Sequence, residues 1–108
     1  MIFYFKSILF LKFTFSPLRT YLRRTAGSVQ SLFFSPDSGL FVGVFILDTS
    51  LSYPTEIYLN EDLNYAKGFE IKITSSMSWT KPSKNMIYLF PSMLAQNKQR
   101  VEVIITRK

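Results

Sequence analysis

The chain has 108 residues, with 13 Lys and Arg against seven Asp and Glu for a formal charge of +6, no His, no Cys and 47% apolar residues. That length holds one domain with a single core but not the roughly 250 residues of a (β/α)8 barrel, and the apolar fraction argues against disorder throughout. Without Cys there is no disulfide and no thiolate zinc site; without His the commonest metal ligand and the usual base for a serine nucleophile are missing.

Charge and aromatics are unevenly spread. Lys6, Lys12, Arg19, Arg23 and Arg24 give the first 24 residues five bases and no acid, while the remainder carries eight bases against seven acids. A phosphate-binding face needs bases distributed over the folded body among stacking aromatics, so a nucleic-acid partner is not expected. Five of the 11 Phe (Phe3, Phe5, Phe10, Phe13 and Phe15) fall in the first fifteen residues. The longest apolar run there, residues 8–11, is shorter than the h-region of a cleaved signal or the roughly 20 residues of a spanning helix, because Lys6, Ser7 and Lys12 interrupt it. Leu9, Leu11, Phe13 and Phe15 share one parity, which predicts a strand with one buried face rather than an amphipathic helix.

Further along, residues 30–35 read as a strand closed by Pro36-Asp37-Ser38-Gly39, where Pro presets φ and Gly supplies a positive φ. Residues 40–47 follow as the hairpin partner. Being almost wholly apolar, they are expected to form a central strand covered on both faces, with Gly43 marking a bulge or a close approach. A loop over 48–54 leads to a strand at 55–60, with Pro54 at its start where a missing N–H is tolerated. Residues 60–67 are polar and read as a loop.

Residues 68–74 give the cleanest alternation, with Phe69, Ile71 and Ile73 inward and Glu70, Lys72 and Thr74 outward. Residues 75–85 are expected to loop around Trp79, strands follow at 86–90 and 101–106, and 92–97 holds at most a turn. Six or seven short strands without a βαβ rhythm predict an all-β fold: an antiparallel two-sheet β-sandwich, immunoglobulin-like or C2-like, with an extra apolar and basic N-terminal segment. The predicted core comprises Phe33, Phe41, Phe45, Ile57, Leu59, Phe69, Ile71, Ile73, Leu89, Val103 and Ile105.

Several motifs stand in a recognisable order: Arg19 and Tyr21, Ala26-Gly27, the hairpin Phe34, Pro36, Asp37, Gly39, Phe41, the strand Pro54-Thr55-Glu56-Ile57-Tyr58-Leu59, and Gly68-Phe69-Glu70-Ile71. In order and spacing they resemble the C-terminal β-sandwich of endoglycoceramidase-like glycoside hydrolases of family five, over residues 19–108. The resemblance departs at Thr20 and Leu22, where prolines are usual, and predicts a looser lead-in to the domain. It implies a noncatalytic sandwich, as a fragment or short isoform, whose partner is a catalytic (β/α)8 barrel acting on glycosphingolipids. The two catalytic Glu of that family belong to the barrel and match nothing here. It leans to a secreted or membrane-associated setting and implies no cofactor. Residues 1–18, ahead of the resemblance, are a separate Phe-rich basic segment that reads as a strand, with a short alternative start or a gene-boundary artefact as the other reading.

Each candidate side chain also has a plainer role. Glu61-Asp62 is the only adjacent acidic pair, but it lacks the alternating Asp and Asn of a calcium loop and is expected to be solvated. Glu56 is expected to pair with Arg19 or Lys72. Trp79 and Tyr58 are candidate glycan or lipid contacts, amphipathic rings suiting either, though Trp79 equally fits a cover over one core edge. Arg23 and Arg24 are candidates for anionic headgroups at a membrane surface, or simply a basic edge that discourages aggregation. A glycan- or membrane-binding module independent of any barrel is the alternative reading.

Overall fold

A computed structural model describes residues 18–108. The strand expected over residues 9–15 lies outside the described residues. Within them, eight strands form two antiparallel four-stranded sheets, as the alternation predicts. The strands are β1 (Tyr21–Arg24), β2 (Gly27–Phe34), β3 (Phe41–Leu47), β4 (Thr55–Tyr58), β5 (Phe69–Ile73), β6 (Met77–Ser83), β7 (Met86–Pro91) and β8 (Arg100–Arg107). One sheet runs β1-β4-β7-β6 and the other β2-β3-β8-β5.

Between the sheets lie Phe41, Phe45, Ile57, Leu59, Ile87, Leu89, Val101, Val103 and Ile105, all fully buried. Their positions follow the two-residue period of each strand, and antiparallel register sets Phe41 opposite Ile105 and Ile71 opposite Ile105 across β3, β8 and β5. Burying a side chain of this size stabilises by roughly 1.5–3 kcal/mol, so this layer supplies most of the driving force. β3 is central, as its apolar run implies, and Gly43 marks a close approach rather than a bulge: a Cβ there would meet the Phe41 ring at 3.0 Å and Val103 at 3.3 Å.

The bulge sits instead in β2, between Val29 and Ser31. Two residues there oppose one, so the inward parity shifts by one downstream. Phe34 therefore turns inward opposite Phe41, and Phe33, expected in the core, points outward at 54% exposed.

Three further differences have local causes. Residues 75–85 are not a loop: they form β6 and a tight hairpin to β7, with Asn85 at φ 68°. β6 is an edge strand whose residues after Met77 are all exposed, so it shows no apolar alternation; its Pro82 falls within the irregularity between Thr80 and Ser83, where no ladder N–H is required. The 60–67 connection holds a single helical turn, α1 (Glu61–Asn64), because the Asn60 side chain accepts the Leu63 N–H as an N-cap. β1, four residues long, gave no sequence signal.

Candidate functional site

At one end of the sandwich the lead-in, the β2–β3 hairpin, α1 and the C-terminus are stitched by a polar network centred on Tyr65, which is 2% exposed. Its hydroxyl donates to the Gly39 carbonyl at 2.8 Å and shares a 2.8 Å hydrogen bond with the buried Thr20 hydroxyl. Burial pushes the Tyr65 phenol above its ordinary value, partly offset by the Thr20 hydrogen bond and the Arg107 charge. Arg107 donates to the carbonyls of Asn64 (2.6 Å), Asp37 (3.0 Å) and Pro36 (3.4 Å), and Asn64 donates to the Leu18 carbonyl at 3.1 Å. Gly39 carries a φ of 75°, and a Cβ there would lie 2.8 Å from the Arg107 guanidinium, so the turn residue predicted from its conformation is also demanded by close approach. At the two positions where prolines are usual, both residues are packed in. Thr20 holds Tyr65, and Leu22, 5% exposed, joins the core opposite Ile57.

The opposite end turns from β1 to β2 through Ala26, whose N–H is accepted by the buried Thr55 hydroxyl at 3.0 Å. A Cβ on Gly27, at φ 149°, would collide with the Ile46 carbonyl, which accounts physically for Ala26-Gly27 and Thr55 occurring together.

The outward face of the β1-β4-β7-β6 sheet brings two candidate residues together. Tyr58 sits opposite Tyr21, ring centroids 5.2 Å apart, and Arg23 reaches both Glu56 (3.5 Å) and the Met86 sulfur (3.8 Å). Glu56 therefore pairs with neither Arg19 nor Lys72. The antiparallel register of β1 and β4 places the Arg23–Arg24 pair alongside it, whereas Lys72 belongs to the other sheet.

Arg24 and Trp79 lie elsewhere. An irregularity between Leu22 and Arg24 separates the two arginines, and Arg24 lies over the Tyr53 ring, 3.8 Å from its centroid, in cation–π contact. Trp79 is on β6, at the opposite edge of the sheet, level with Leu89 and 6.1 Å from the Phe69 ring. It closes the gap between the two sheet edges and remains 40% exposed.

Glu61 and Asp62 are tied down individually. Glu61 pairs with Lys81 at 2.8 Å and accepts the Asn85 N–H, while Asn85 in turn accepts the Glu61 N–H at 2.9 Å; Asp62 pairs with Lys84 at 2.8 Å. Burial alone would raise Glu61, but its bonds to Lys81 and Asn85 and the charges of Lys81 and Lys84 hold it below the usual glutamate value. A glycosidase needs two carboxylates facing one reaction centre. Of two shallow clefts, one of about 190 Å³ has Asp48 as its single acid and the other, about 330 Å³ beside Leu63 and Arg107, has none. Among the described residues no three of His, Cys, Asp and Glu gather as a metal site.

These features define an antiparallel two-sheet β-sandwich closed at each end by hydrogen-bonded loops. The chain belongs to the glycoside hydrolase family 5 C-terminal domain family, whose model matches residues 19–104. No curated protein matches it by sequence. Among solved structures it is similar to endo-glycoceramidase II from Rhodococcus sp. in its ganglioside GM3 complex, at 16% identity and a TM-score of 0.64, covering 83% of this chain and 18% of that one. It is also similar to sterylglucosidase 1 from Cryptococcus neoformans, at 18% identity and a TM-score of 0.62, covering 83% of this chain and 14% of that one. The chain thus spans under a fifth of the length of these enzymes.

The Tyr65 network and the Ala26–Thr55 corner are not legible in the sequence because their bonded members are 26 to 71 residues apart. Only the motif positions Gly39, Ala26-Gly27 and Thr55 hinted at them.

Proposed function

We propose that the chain is the noncatalytic sandwich of an endoglycoceramidase-like enzyme acting on glycosylated lipids, and that it buttresses a catalytic (β/α)8 barrel preceding it. The observation that carries this reading is the family match over residues 19–104 by a domain that spans under a fifth of its structural relatives.

The outward face of the β2-β3-β8-β5 sheet supports a protein partner. Phe33, Val42 and Ile104 form one register row across three strands, and Ile46 extends the patch along β3, Val44 between them being already buried within the chain. A strand apolar on both faces expects cover on both, and aliphatic β-branched side chains suit close packing against another domain. The lead-in tracks toward this sheet, since Arg19 lies over Phe34 of β2 and Leu18 is tethered through Asn64 to Arg107 of β8.

The other face favours a role in substrate presentation. Tyr58 with Tyr21 offers amphipathic rings, and Arg23 with Glu56 offers paired donors and acceptors, the chemistry that contacts a sugar headgroup. Arg24 and Trp79 would contribute from separate edges.

The test has two arms. Sequencing the transcript in the 5′ direction should reveal in-frame barrel strands ending in catalytic Glu, and the purified chain should release no oligosaccharide from a ganglioside. Turnover by the chain alone, or a transcript with no barrel, overturns the reading. Titration with free ganglioside oligosaccharide, weakened by Tyr58→Ala or Arg23→Ala, checks the presentation role.

A further inference from the structure

The cleft of about 330 Å³ beside Leu63 collects three bases, Lys67, Arg107 and Lys108, with Leu63, Asn64 and Ala66 as the rest of its lining. Gly68, at φ 99°, turns the chain back there, so that its carbonyl accepts the Lys108 N–H at 3.2 Å. The Lys108 stem lies against Gly68, where a Cβ would come within 3.3 Å of the Lys108 Cδ.

Arg107 is the fixed member of the three. Its guanidinium donates to the carbonyls of Asn64, Asp37 and Pro36 and lies against Gly39. Carbonyls orient a guanidinium without cancelling its charge, and these three take three of its five N–H donors, which leaves two for a ligand.

No carboxylate cancels the charge either. Asp37 offers Arg107 its carbonyl and not its carboxylate, while Glu61 and Asp62 on α1 are spent on Lys81 and Lys84. Among the described residues none of the three bases has an acid within ion-pair distance, the terminal carboxylate included.

Three uncancelled positive charges around one concavity attract an anion. A phosphate monoester, with a charge of about −1.5 to −2 at neutral pH and three acceptor oxygens, answers them better than a singly charged carboxylate. Leu63, 58% exposed, and Ala66 add an apolar wall, which suits the carbon skeleton of an ester rather than bare phosphate.

We propose that this cleft binds a small organic phosphate monoester. Arg107 donates its two remaining N–H groups to the phosphate, Lys67 and Lys108 balance the second charge, and the organic part rests on Leu63 and Ala66. The inference holds with or without a barrel and uses none of the reading above.

The experiment titrates the isotope-labelled full chain with butyl phosphate, the ionic strength being held constant with chloride. The amides of Ala66, Lys67, Gly68 and Lys108 should shift together and saturate with a Kd of about 1 mM or below, while those of β1, which carries Arg23 and Arg24, stay still. Butyrate, with one charge, should bind several-fold more weakly. Lys67→Gln with Lys108→Gln should weaken butyl phosphate about tenfold. Both of these side chains are exposed, so the pair keeps the thermal midpoint. Leu63→Ser should cost about threefold on butyl phosphate and nothing on inorganic phosphate.

Absence of saturable shifts at the four amides, butyrate binding as tightly as butyl phosphate, or a Lys pair that leaves the affinity unchanged overturns the proposal. So does an unchanged affinity of Leu63→Ser for butyl phosphate, which would leave a site for bare phosphate and not for an ester.

Discussion

Tyr65→Phe removes one oxygen and two hydrogen bonds, to Thr20 and to the Gly39 carbonyl. Each bond is worth a net of roughly 0.5–1.5 kcal/mol, and both partners are buried, so the loss is about 2 kcal/mol and rises toward about 3 kcal/mol if the Gly39 carbonyl finds no other donor. For a domain of this size that lowers the thermal midpoint by roughly 8–16 °C. Urea unfolding followed by the fluorescence of Trp79, the single Trp, measures it, with the denaturant slope unchanged.

The same hydroxyl sets an alkaline limb. Burial raises the phenol above 10.0, so the folded state keeps a proton that the unfolded chain releases; this stability is complete below pH 10 and is lost as pH rises through the folded value. Tyr65→Phe should flatten that limb in part, Tyr21 being raised as well. A double-mutant cycle with Thr20→Val should show coupling above about 0.5 kcal/mol. A loss under about 0.5 kcal/mol, or strict additivity, would refute the assignment of the network as what anchors the lead-in.

Other perturbations probe separate parts of the fold. Phe34→Ala should cost about 3–5 kcal/mol whereas Phe33→Ser stays within about 0.5 kcal/mol in the isolated chain, and equal losses in urea melts would contradict the parity shift at the β2 bulge. Gly39→Ala should cost about 1–3 kcal/mol through its positive φ and the displaced Arg107, with Arg107→Ala in the same background adding less than it does alone. Glu61, held below 4.5, contributes stability that is present above that pH and lost as pH falls through its depressed value. Glu61→Gln should remove about 1 kcal/mol at neutral pH and flatten the acid limb, seen as an amide-exchange protection factor at Asn85 that falls on acidification in the wild type only.

The sequence by itself determined the fold class, the central place of β3, the inward set of β5 and the Pro36–Gly39 hairpin, because each rests on a local period or on turn chemistry within a few residues. The family, too, was legible, since its motifs are short strings at set distances. Tertiary structure alone decided the rest. A one-residue bulge exchanged Phe33 for Phe34, and an edge strand with only Met77 clearly buried hid as a loop. Glu56 took Arg23 rather than Arg19 or Lys72, because cross-strand register rather than chain distance brings opposite charges together. Of the four candidate contacts, Tyr58 and Arg23 converge on one sheet face, while Arg24, on the same edge strand as Arg23, turns to the Tyr53 ring and Trp79 lies on the opposite edge. Exposure and convergence are properties of packed layers, and no periodicity along a chain encodes which layer edge a side chain will meet.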